Sequence, residues 1–152
     1  MWRVREWTID TWVLYKVDEG NFDALDFLLA VLRHHKVVFD HERHIEQEYQ
    51  RCLKRTRNRY LEEWFKRLIA RQARVFYSGR LPNRHERALL RMNFDRSDLP
   101  FVGVAHRSKD KLLISEDSDY TQQVCDYLQQ QLQVKVLSLP RALEIAENIQ
   151  DP

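Results

Sequence analysis

Lys111-Leu112-Leu113-Ile114-Ser115-Glu116-Asp117-Ser118-Asp119-Tyr120 changes character in one step, from consecutive aliphatic residues to a run of acids and hydroxyls. A short aliphatic run cut off by polar turn formers suits a strand buried on both faces. A helix from Tyr120 to about Gln131 follows, then Val134-Lys135-Val136-Leu137 as another strand and a closing helix from Pro140 to Ile149. The same alternation runs back toward the N-terminus. Val4 to Ile9 is rich in β-formers, Thr11 to Val17 fits a helical turn or two, and Phe22, Leu25, Leu29 and Leu32 recur at helical spacing up to Arg33. Lys36-Val37-Val38-Phe39 reads as a strand, and Asp40 as the N-cap of a helix from His41 to about Thr56. Tyr60 to about Tyr77 reads as one long helix with Leu61, Trp64, Phe65, Leu68 and Ile69 as its apolar stripe, broken by Leu81-Pro82-Asn83. A short helix spans Arg84 to Met92, and Pro100 stands in the first turn of a helix reaching about Arg107. Parallel neighbours need crossover connections, so this alternation predicts an α/β fold, a three-layer α/β/α sandwich around a central, mostly parallel sheet of four or five strands. No repeat or linker divides the chain, and residues 1–152 are expected to form one domain.

Composition narrows the function classes. A chain of 152 residues, 43% hydrophobic and 32% charged, can bury a core without disulfides or a structural metal. Three glycines in all leave no Walker loop and no dinucleotide fingerprint to assemble. No apolar run approaches the roughly 18 residues of a membrane span, and Met1-Trp2-Arg3-Val4-Arg5-Glu6 lacks the apolar stretch of a signal peptide, so a cytoplasmic protein is expected. Cys52 and Cys125 have no metal-type spacing and read as reduced packing residues. His41-Glu42-Arg43-His44 has two residues between its histidines where the zinc-protease motif needs three.

The net charge of +2 hides a segregation. Residues 51–91 hold 13 of the 25 lysines and arginines and only 3 of the 23 acids. A charge run is often just a solvated face, but signs separated to this degree within one small domain make a local positive field that attracts phosphates. Arg67, Arg71 and Arg74 recur along one side of the long helix and are the candidate nucleic-acid contacts, with Tyr60 or Tyr77 as stacking platforms unless they are core.

In parallel sheets the ligand site lies beyond the C-terminal ends of the strands. Asp10 follows the strand ending Trp7-Thr8-Ile9, and Asp117 follows the one ending in Ile114. Glu48 interrupts the helical face Ile45, Tyr49, Cys52, Leu53, where a carboxylate needs a cation, hydrogen bonds or a polar pocket. Asp98 precedes Leu99-Pro100, where its ordinary role is an N-cap. Each acid alone is as often a cap or a loop residue. Together in one cleft they would repel unless protons or cations compensate, and hard oxygen ligands in that number suit Mg²⁺ or Mn²⁺. Ser115 could hold a ligand or a metal-bound water by hydrogen bonding. Asp119, just before the helix at Tyr120, reads as its N-cap and as mainly structural, which leaves Asp117 as the closer metal ligand.

Ile9-Asp10-Thr11-Trp12-Val13-Leu14, Glu48-Tyr49, Asp98-Leu99-Pro100-Phe101-Val102-Gly103-Val104-Ala105 and Leu113-Ile114-Ser115-Glu116-Asp117-Ser118-Asp119-Tyr120, with Val134 to Leu143 at the end, together resemble a PIN domain over essentially the whole chain. The acids are separated by 38, 50 and 19 residues, and their order carries the likeness. The resemblance implies a metal-dependent ribonuclease fold acting on single-stranded or structured RNA, in many cases the toxin of a bacterial toxin–antitoxin pair. Asp10, Glu48, Asp98 and one or both of Asp117 and Asp119 would be its acidic set. An antitoxin protein and a homodimer are the partners it suggests, and a catalytically inactive RNA- or protein-binding module on the same fold is the alternative.

Overall fold

The computed structural model describes residues 3–147. The end of the closing helix at Ile149 lies outside them. Five strands form one all-parallel sheet: β1 (Glu6–Ile9), β2 (Lys36–Asp40), β3 (Arg74–Tyr77), β4 (Leu112–Ile114) and β5 (Lys135–Leu137), in the order β3-β2-β1-β4-β5. Helices α1 (Thr11–Asp18), α2 (Phe22–His34), α3 (His44–Thr56), α4 (Arg59–Ala70), α5 (Asn83–Arg91), α6 (Leu99–Arg107), α7 (Gln122–Leu132) and α8 (Leu139–Glu147) make the crossovers. No helix among the described residues is long and apolar enough to cross a membrane.

The central strands are buried on both faces, as their unbroken apolar runs require: Trp7, Ile9, Val37, Val38, Phe39, Leu113 and Ile114 have no exposed surface. In the register of the sheet Ile9 stands beside Ile114, so the next residues of those strands, Asp10 and Ser115, emerge side by side at the C-terminal edge. The sheet therefore sets the site before any side chain is considered.

Three boundaries depart from the sequence reading, each for a local reason. The helix expected over Tyr60 to Tyr77 stops at Ala70. Leu61, Trp64, Phe65 and Leu68 are buried, but Ile69 is 41% exposed and Arg71 and Gln72 follow, so the apolar stripe has ended. Gln72 turns the chain at φ 55, and Arg74-Val75-Phe76-Tyr77, β-branched and aromatic, joins β2 as an edge strand. Arg67, Arg71 and Arg74 accordingly do not share one side of a helix. Second, α3 begins at His44 and not His41, although Asp40 still caps it: its two carboxylate oxygens accept the His44 and Ile45 N–H groups at 2.9 and 2.8 Å. Third, α7 is capped by Thr121, whose hydroxyl accepts the Val124 N–H, and not by Asp119. Asp98 also stands before α6 without a side-chain cap bond.

Candidate active site: a carboxylate cleft at the strand ends

Four segments distant in sequence meet at the C-terminal edge of β1 and β4. A cleft of about 220 Å³ is lined by Asp10, Glu48, Asp98 and Asp117, with Thr11, Trp12 and Tyr15 of α1 and Ser97 completing its walls. All four acids expected from the sequence thus line one cavity. Larger hollows exist, including an apolar groove of about 490 Å³ between α2 and α4 lined by Leu25, Leu29, Tyr60 and Trp64, but it gathers no such acids.

The local chain explains each placement. Ser115 Oγ donates to Asp10 Oδ2 at 2.6 Å and accepts the Asp117 N–H at 3.0 Å, so one hydroxyl ties the end of β4 to the end of β1 and turns Asp117 toward the cleft. Asp117 Oδ1 in turn accepts the Asp119 N–H. Tyr49, buried on α3, donates its hydroxyl to the Ile9 carbonyl and anchors the strand just before Asp10. Glu48 lies one residue earlier on α3, half-buried at the cleft wall between His44 and Arg51, at 3.5 and 3.3 Å. His44 also reaches the Ser97 carbonyl at 2.8 Å, which fixes the turn carrying Asp98 against α3.

Electrostatically the cleft is unbalanced. Asp10, 4% exposed, has its carboxyl pushed up to about 6 by burial and by the charges of Asp117 and Glu48, against the lowering effect of the Ser115 hydroxyl. Burial holds Asp98 well above the ordinary carboxylate range, helped by the charge of Asp10 and by a hydrogen bond to Asp119. The protonated form of Asp98 is favoured, with Asp119 as its hydrogen-bond partner. Glu48 forms ion pairs, whereas Asp10, Asp98, Asp117 and Asp119 form none among the described residues. Two hydroxyls beside these acids, Thr11 Oγ1 and Tyr120 OH, are buried without a hydrogen-bond partner. Among the described residues, no three His, Cys, Asp or Glu side chains are gathered closely enough to hold an ion as they stand. Still, hard oxygens, absent counter-cations and orphaned hydroxyls make a donor set that fits a divalent cation.

The remaining candidates fall elsewhere. Arg67 pairs with Glu63 at 2.9 Å on α4. Arg71 reaches the Leu32 carbonyl at 3.5 Å, near the opposite edge of the sheet. Arg74 pairs with Glu46 at 3.2 Å and lies over the rings of Phe39 and Phe76. Tyr60 is 69% exposed, and Tyr77 donates to Glu6 at 2.7 Å. Sequence reasoning missed Thr11, Trp12, Tyr15, Ser97 and Tyr120. Thr11 and Trp12 carried a usable signal, since they follow Asp10 into a helix that starts at the strand end. Compared with protein-family models, curated proteins and solved structures, the chain matches none.

Proposed function

We propose that the protein is a divalent-metal-dependent endoribonuclease that hydrolyses RNA phosphodiester bonds. One observation carries the reading: Asp10, Glu48, Asp98 and Asp117, brought from four separate segments, line one cleft at the C-terminal edge of a parallel sheet, and three of them lack a cationic partner among the described residues. Clusters of like charge held at such a cost concentrate at functional sites.

Asp10, Asp98 and Asp117 would hold Mg²⁺ or Mn²⁺, with Glu48 at the rim and Ser115 fixing the Asp10 carboxylate in its aim. A bound divalent ion supplies a water acidic enough to attack at neutral pH and neutralises charge on the scissile phosphate. The chain's own contribution is orientation. Asp98 would bind the ion as a carboxylate, and Asp119, its hydrogen-bond partner, fixes the direction in which it points. Trp12 and Tyr15 give the cleft an aromatic wall on which an unpaired base can stack. Beyond the Ser97-Asp98 turn a second hollow of about 300 Å³ carries Arg80, Arg96 and Asn83, which we assign to the flanking phosphates.

Cleavage of single-stranded RNA with Mg²⁺ or Mn²⁺, abolished by chelator and restored by the ion, is the expected result. RNA binding without turnover in either ion would replace this reading with that of a non-catalytic binding module.

A further inference from the structure

The Tyr120 hydroxyl is one of the few buried side-chain polar atoms without a hydrogen-bond partner among the described residues. Its ring is fixed edge-on against Phe94 with centroids 5.2 Å apart. The Tyr120 N–H bonds to the Asp117 carbonyl at 3.0 Å, which ties the residue to the turn that carries Asp117 and Asp119, and burial together with the charges of Asp10, Asp98, Asp117 and Asp119 holds the phenol well above its usual pKa. An orphaned buried hydroxyl costs about 1–3 kcal/mol. A phenylalanine would fill the same space without that cost. Tyr127, half-buried, shows what an ordinary tyrosine does here: its hydroxyl meets His85 Nδ1 at 2.7 Å.

The four acids of the cleft come from four separate segments, so loading it draws carboxylates on independent stretches of chain toward one ion. We propose that Tyr120 is a positioning residue for the divalent-cation site: its hydroxyl, orphaned while the carboxylates stand apart, donates to a carboxylate oxygen once an ion gathers them. Such donors outside the ligand set orient the ligands and typically govern about tenfold or more of metal affinity. The inference rests on the divalent-cation reading of the cleft and assigns a partner to a donor that reading leaves unexplained.

The test compares Tyr120→Phe with Tyr127→Phe by thermal melting and by calorimetric titration with Mg²⁺ and Mn²⁺. Tyr120→Phe is expected to melt at the same or a higher temperature than the unaltered protein in chelator, and to bind the ion about tenfold more weakly. Tyr127→Phe is expected to do the opposite, melting lower with ion affinity unchanged, because it loses a bond already made. An unaltered protein that binds the ion beside a Tyr120→Phe variant of equal affinity overturns the role of Tyr120 and leaves the cleft reading intact. A Tyr120→Phe variant that melts far lower or does not fold overturns it too, since the hydroxyl would then have a structural partner. An unaltered protein indifferent to both ions removes the cation site itself, and the inference with it.

Discussion

Asp10 and Asp40 end adjacent parallel strands, and both are buried, at 4% and 1% exposure. Their surroundings divide them. Both oxygens of Asp40 are taken by backbone N–H groups at the start of α3, so its charge is solvated by the helix it caps. Asp10 stands at the N-cap position of α1 and makes no cap bond, receiving one hydroxyl from Ser115 and the repulsion of neighbouring acids. One aspartate holds the fold together while the other strains it. The strained one lies in the cleft, as expected where a protein departs from its stability optimum to bind something.

The largest effects come from removing each charge. Asp10→Asn keeps an acceptor for Ser115 and removes a carboxylate whose pKa is raised from 3.8 to about 6, a cost of about 3 kcal/mol when ionised. Its melting temperature at neutral pH is expected to rise by roughly 6–12 °C while metal-dependent cleavage disappears. Asp40→Ala leaves two helix N–H groups without their charged acceptor and is expected to fall by a similar amount. Melting curves showing both variants shifted in the same direction would dissolve the distinction between the two aspartates.

A pH profile sharpens the same contrast. In the folded chain Asp10 holds its proton up to about 6, whereas unfolded it releases it near 3.8, so the folded state binds more protons between these values. Stability from this group is full below the lower value and is lost as pH rises through the upper one. Asp98, raised further, extends the decline to higher pH. The unaltered protein in chelator is expected to lose stability from about pH 4 to about pH 9, and Asp10→Asn to decline less steeply between about pH 4 and pH 6. Urea denaturation at successive pH values reads this directly. A profile for Asp10→Asn that parallels the unaltered protein would show that Asp10 is not the strained group.

Smaller shifts separate cap from site after β4. The sequence assigns the cap of α7 to Asp119, but the structure gives it to Thr121 and leaves Asp119 accepting from Asp98. Thr121→Ala should therefore cost about 1 kcal/mol and roughly 2–4 °C with cleavage intact. Asp119→Ala should leave the melting temperature nearly unchanged and weaken ion binding and cleavage. The converse pattern would restore Asp119 as the cap.

The strands of the sheet were legible because two-faced burial demands unbroken apolar runs such as Leu112-Leu113-Ile114. β3 was not, because as an edge strand it is not fully buried at any position and its four residues follow a helix without a Gly or Pro to mark the break. Asp10 and Asp117 were legible because strand ends are where such folds place ligands. Glu48 was legible because a carboxylate on an apolar face is anomalous. Tyr120 was invisible, since an aromatic beside an acid shows its partners only when distant segments meet.

The arginines offer the smallest effect and the sharpest positional test. Composition placed the phosphate contacts in residues 51–91, and the structure spreads that segment over opposite edges of the molecule. Arg71 bonds to the carbonyl of Leu32 near the end of α2, the helix that leads into the start of β2, whereas the cleft opens at the strand ends. Arg80 and Arg96 are exposed in the hollow that adjoins the Ser97-Asp98 turn. Arg107 fixes that hollow's rim by donating to the Ser78 carbonyl at 3.2 Å and to the carbonyl of Arg80. Each phosphate contact on a single strand contributes about 0.7 to the slope of log affinity against log salt. Arg80→Gln with Arg96→Gln should therefore flatten the slope for single-stranded RNA by about 1.4, measured in chelator to prevent turnover. Arg67→Gln with Arg71→Gln should leave it unchanged. If the second pair flattens the slope and the first does not, the strand crosses the face of α4, and the hollow beside the cleft has no part in holding it.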